Sequence, residues 1–133
     1  MTPEQFFEAF RQKLLQSQDD FLTIIEVETE NFVDDNFEAQ GYTDTNFTAW
    51  QPRKDPKNDR KLLTKSGDLK RAATTARRSH QSVEFILNLP YAQPHNEGSD
   101  RMPKRQYIGR SVVLEKKVYD KIMNRIGQLI RTI

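Results

Sequence analysis

Leu89–Ser111, LPYAQPHNEGSDRMPKRQYIGRS, decides how the rest of this 133-residue chain can be arranged. It holds three of the six prolines, two of the five glycines and one of the two histidines. Pro90, Pro94 and Pro103 fix φ and remove backbone donors, which rules out both one long helix and a central strand here. Gly98 and Gly109 supply backbone freedom where an element must turn or end. A loop shaped in this way over 89–110 serves either an active site or an assembly contact.

Downstream of it, Ser111 is placed to cap a helix over 111–131. Val112, Val113, Val118, Tyr119, Ile122, Met123, Ile126, Leu129 and Ile130 draw a broad apolar stripe along that helix. Upstream, Ser82–Asn88 alternates Val83, Phe85 and Leu87 with more polar neighbours and reads as a strand. Paired with Lys70–Arg78 through a turn at Arg78-Ser79-His80-Gln81, it predicts an antiparallel hairpin over about 69–88. Ala72-Ala73-Thr74-Thr75-Ala76 in its first strand equally suits a turn of helix. Ser66-Gly67-Asp68 is a turn signal leading into it, and Gln106–Gly109 predicts a short strand added to the same sheet.

The N-terminal third is helical by pattern. Thr2, Pro3 and Gln5 form a capping-box signature, and Phe6, Phe10 and Leu14 recur every fourth residue, which predicts a helix over about 3–16. A second helix over about 20–40 follows a polar break, with Asp19 or Asp20 as its cap and Gly41 as its terminator. Residues 42–61 then read as a polar loop with two prolines and the only tryptophan, Trp50, which either anchors the loop on the core or stands out as a contact for a partner. The whole predicts one α+β domain over 1–133: N-terminal helices and a long C-terminal helix packed on a small antiparallel sheet.

Net charge is +2, but unevenly spread. Residues 1–50 carry 11 acidic against 2 basic side chains, 51–78 carry 10 basic against 3 acidic, and 79–133 carry 9 basic against 5 acidic. An acidic front and a basic rear suit head-to-tail self-association, or simply solvated faces. The basic run from Arg53 to Arg78 leaves phosphate binding as a secondary reading, opposed by the acidic N-terminal third. Cysteine is absent, so no disulfide or thiolate metal site is available. No signal peptide or membrane-spanning run is read. His80 and His95 lack the second histidine or clustered carboxylates that a metal hydrolase needs. No phosphate loop or nucleophile elbow occurs, so the expectation is a non-enzyme without cofactor.

Four blocks carry a resemblance. They are Asn36-Phe37 with Gln40-Gly41 and Trp50-Gln51-Pro52; Leu62-Leu63-Thr64-Lys65-Ser66-Gly67-Asp68-Leu69-Lys70; Tyr91-Ala92-Gln93-Pro94-His95-Asn96-Glu97-Gly98; and Met102-Pro103 with Arg105-Gln106-Tyr107-Ile108-Gly109. Together, in this order and followed by a terminal helix, they resemble the Mu-type phage virion morphogenesis, or tail completion, protein family over about residues 30–133. The chain departs from that pattern at Arg71-Ala72-Ala73, where a strand beginning Ser-Ile is usual, and has Tyr107 for the commoner Phe. The helix Thr2–Gln16 lies outside it. The resemblance implies a structural protein of a phage or prophage, acting in the virion or in the host cytoplasm during assembly. It implies phage tail or neck proteins as partners and a ring of identical copies. A head–tail connector or tail terminator subunit is the nearest alternative, and a DNA-contacting accessory protein is the alternative of another class. Trp50, Tyr91, His95, Arg105 and Tyr107 are the residues expected to shape the loops or the interface.

Overall fold

A computed structural model describes residues 1–55, 61–63 and 67–133. Its elements are α1 (Pro3–Gln16), α2 (Gln18–Ala39), β1 (Gly41–Thr43), β2 (Phe47–Ala49), α3 (Asp68–Ala73), β3 (Arg77–Arg78), β4 (Val83–Glu84), α4 (Ala92–Glu97) and α5 (Val112–Arg131). The α+β class expected from the sequence holds. Helices dominate, and the strands form two separate antiparallel pairs, β1 with β2 and β3 with β4.

The capping box of α1 is formed as the sequence predicts: the Gln5 N–H donates to Thr2 Oγ1 at 3.1 Å, and the Thr2 N–H donates to Gln5 Oε1 at 2.8 Å. The break before α2 is narrower than expected, a single buried residue, Ser17, that ends one helix and precedes the next. Asp19 and Asp20 therefore lie inside the first turn of α2 rather than capping it, where carboxylates face the positive end of the helix dipole. At the far end Gln40, not Gly41, takes the left-handed conformation, with φ 59°. Gly41 is needed for a different reason. A Cβ there would sit 2.3 Å from the Phe47 ring and 2.6 Å from the Thr48 carbonyl, so only glycine allows the hairpin to close.

Four expectations are corrected. Within the predicted loop 42–61, β-forming Tyr42-Thr43 and Phe47-Thr48 pair across Asp44–Asn46, with Tyr42 opposite Thr48. Within the predicted hairpin 69–88, Asp68–Ala73 is helical. Leu69 and Ala73, one turn apart, are both buried, α3 lies against α2, and the Thr74 and Thr75 hydroxyls close the helix by donating to the Lys70 and Arg71 carbonyls. Only Arg77–Arg78 and Val83–Glu84 remain paired, around the expected turn, which the Ser79 N–H closes onto the Ser82 carbonyl at 2.9 Å. Gln106–Gly109 is not a strand, because side chains rather than a neighbouring strand take up its backbone groups. The predicted loop 89–110 also contains α4. Ser66 of the expected turn, and residues 56–60 and 64–65 of the expected loop and second block, lie outside the described residues.

The core is built on the C-terminal half of α2. Phe32, Val33 and Phe37 meet Tyr42, Trp50, Leu62, Leu69, Ala73, Ala92 and Tyr107, with Leu114 of α5 at the margin. α5 lies against α2 and α1, and its first turn is fastened to the β1–β2 hairpin. Ser111 Oγ accepts from the Leu114 N–H as N-cap and donates to the Thr43 carbonyl at 2.7 Å, while Asp44 Oδ1 accepts from the Val112 N–H at 2.9 Å.

Basic side chains from the later chain cover the acidic α2. Arg78 reaches Asp19 and Glu26, Lys70 reaches Asp34 and Glu38, Lys61 reaches Glu38, Lys121 reaches Glu28, and Arg125 reaches Asp20. The two charge halves thus meet within one chain.

Candidate functional site

The loop 89–110 is held on α2 and the β1–β2 hairpin by a network centred on Tyr107, which is 1% exposed. Its ring lies 5.4 Å from that of Phe37, which in turn meets the Trp50 indole edge-on at 5.5 Å. Burying two polar aromatics requires partners for both heteroatoms. The Tyr107 hydroxyl donates to the Ala92 carbonyl at 2.7 Å, and Trp50 Nε1 donates to the Gln106 carbonyl at 2.7 Å. Burial pushes the Tyr107 phenol up to about 12, so it stays a donor at any physiological pH.

Three amides complete the network. Nδ2 of Asn36, a buried residue of α2, donates to the Tyr107 carbonyl at 3.1 Å. Asn96 Oδ1, on α4, accepts from the Tyr107 and Ile108 N–H groups at 2.9 and 3.2 Å. Gln40 treats Leu62 as a strand partner would: its Nε2 donates to the Leu62 carbonyl at 3.2 Å and its Oε1 accepts from the Leu62 N–H at 2.5 Å. Tyr42, its phenol also raised to about 12 by burial and by Asp44, donates to the Arg110 carbonyl at 2.8 Å.

The five residues expected at the site fall into one connected set, but not with one role. Trp50 and Tyr107 are interior. Arg105 spans two loops, its Nε donating to the Gln51 carbonyl at 3.0 Å and its backbone N–H to the His95 carbonyl at 2.8 Å. His95 is half-buried, with its ring edge-on to Tyr91 at 6.0 Å and its Nδ1 enclosed without a hydrogen-bond partner among the described residues. Burial, and the Arg105 guanidinium beside it, hold its imidazole below the usual value, so it is neutral at pH 7. Tyr91 alone presents its ring to solvent, at 39% exposure.

Asn36, Gln40 and Asn96 are the site residues that reasoning from sequence missed. All three stand inside the four motif blocks, and that position was the available signal.

The chain matches no family model, no curated protein and no solved structure.

What the arrangement can do follows from where its polar atoms point. Nearly every donor and acceptor is turned inward to another loop. Among the described residues no three His, Cys, Asp or Glu side chains gather in a way that would hold a metal ion. A groove of about 400 Å³ lies between the β1–β2 hairpin and the Lys104–Arg110 segment, lined by Asp44, Asn46, Thr48, Lys104 and Arg110 over the Trp50 indole. It is shallow and mixed in charge. Among the described residues no helix is long and apolar enough to cross a membrane.

Of the basic loop, Lys57 and Arg60 lie outside the described residues. Arg53 donates to the Lys61 carbonyl at 3.0 Å, and Lys61 pairs with Glu38, so these two cations act within the fold.

Proposed function

We propose that the chain is a structural subunit of a phage or prophage particle, completing the tail or its joint with the head, and that it works without catalysis or a cofactor. One observation carries this reading. The four blocks behind the family resemblance, spread from Asn36 to Gly109, bond to one another. The first block reaches the fourth through Asn36, Trp50 and the Gln51 carbonyl, and the second through Gln40 and Leu62. The third reaches the fourth through Asn96 and the Ala92 carbonyl. Residues that recur together as a motif set and spend their polar groups on each other support a rigid platform, which is what an assembly subunit requires.

The test is composition of the particle. Virions induced from the encoding genome, purified and analysed by mass spectrometry, are expected to contain the chain. Deleting its gene is expected to leave heads and tails unjoined or tails unfinished in electron micrographs. The stage at which particles stall distinguishes a tail-completion subunit from a connector or terminator ring. Complete, infectious particles formed without the chain would overturn the reading.

A further inference from the structure

We infer that the outer edge of β2 takes up an extended, acidic segment of another protein as an added strand. The register of the hairpin decides which backbone groups are free to do so. The Trp50 N–H donates to the Gln40 carbonyl at 2.8 Å, and the Asp44 N–H donates to the Asn46 carbonyl at 3.3 Å. Bonded and non-bonded pairs alternate along an antiparallel ladder. Tyr42–Thr48 is therefore the bonded pair between those two, while Gly41–Ala49 and Thr43–Phe47 are not bonded. The N–H and C=O groups of Phe47 and Ala49 point away from β1. Among the described residues none of these four groups has a hydrogen-bond partner, and all of Phe47–Ala49 is exposed.

The opposite edge of the same sheet is closed from within the chain, where Ser111 Oγ donates to the Thr43 carbonyl at the start of α5. β2 has no such cover. Phe47–Ala49 also carries none of the prolines or charges that keep an edge strand from pairing. The free groups themselves name the occupant. Only another extended backbone offers donors and acceptors at the two-residue spacing that Phe47 and Ala49 present.

The side chains of an added strand alternate between the two faces of the hairpin. On one face lies the groove that Thr48 lines together with Lys104 and Arg110. Arg110 is paired with Glu115 at 2.9 Å, and Asp44 Oδ1 is held by the Val112 N–H. Lys104 is exposed and has no carboxylate partner among the described residues. A carboxylate on the residue opposite Thr48 meets that ammonium group. On the other face Phe47 is 51% exposed, with its ring over Gly41, so apolar residues fit opposite Phe47 and Ala49. The segment recognised reads apolar, acidic, apolar. This binding does not depend on the virion role, and each stands or falls by its own test.

The experiment is residue-resolved amide exchange by NMR on the full chain. The probe is a short blocked peptide in which valine alternates with threonine and a glutamate replaces the central threonine. At millimolar peptide, exchange at Phe47 and Ala49 is expected to slow, and a central lysine in place of the glutamate is expected to weaken binding about fivefold. Ala49→Pro removes one outward N–H and leaves the ladder to β1 intact. It is expected to abolish protection of Phe47 with an unchanged helical circular-dichroism signal. Lys104→Glu is expected to reverse the preference between the two peptides. Exchange at Phe47 and Ala49 that neither peptide slows overturns the inference, as does binding that Ala49→Pro leaves intact. Equal binding of the two peptides overturns the acidic character of the segment. Protection already present in the chain alone and lost on dilution places a second copy on this edge, and overturns the inference as well.

Discussion

The two ends of the molecule are built on opposite principles. Around Tyr107, aromatic rings and amides are buried and matched atom for atom, and one side chain fixes two or three loops. At the other end, α1 has no buried residue at all. Phe6 stacks on Phe10 and meets Phe7 edge-on, Phe7 is 65% exposed, and Leu15 is exposed as well. Both ends are rich in apolar residues, so composition does not separate them. The difference is how much of each apolar side chain the rest of the chain covers. A region whose side chains are buried and paired resists change, whereas one whose apolar side chains stay exposed tolerates it.

Substitutions can break that contrast. The largest loss is expected for Tyr107→Ala, which empties a fully buried site and strands the Ala92 carbonyl. It should cost about 3–5 kcal/mol, a large share of a small domain's stability, read as a lower urea midpoint. Asn96→Ala removes the acceptor of two backbone N–H groups and should cost about 1–3 kcal/mol by the same measurement. Retention of the wild-type midpoint in either variant would contradict the buried-network account.

Phe7→Ser, at the other end, should change stability by less than about 0.5 kcal/mol. A large destabilisation there would show that α1 packs within the chain more closely than its exposure indicates.

The smallest expected effect is on pH dependence. His95 binds its proton less well folded than unfolded. The unfolded chain therefore takes up a proton first as pH falls below about 6.5, and stability declines until pH has also passed the folded value. Above neutrality the effect is absent. His95→Gln should flatten this part of the profile relative to wild type, and identical profiles would remove His95 from the account.

What could be read from the sequence follows the same division between local and distant causes. α1 and α5 were legible because their caps and periodicities are local, and α2 was legible through its periodicity, although Asp19 and Asp20 do not cap it and Gln40 rather than Gly41 takes the left-handed turn at its end. α3 was not, since Lys70–Ala73 has no long repeat, and what decides it is the burial of Leu69 and Ala73 against α2. At the site, the aromatic members stood out through their motif blocks. Asn36, Gln40 and Asn96 did not, because amides in such sequences read as solvated. Their partners lie 71, 22 and 11 residues away, beyond any local pattern.

The covering of α2 by distant cations has a consequence for how the chain is made. α2 contains eight carboxylates and no lysine or arginine, so by itself its own charges oppose helix formation. Its partners emerge from the ribosome later, and Lys121 and Arg125 come last. The segment synthesised early therefore settles late, and a nascent chain halted before α5 should leave α2 open to proteases that spare it once translation is complete.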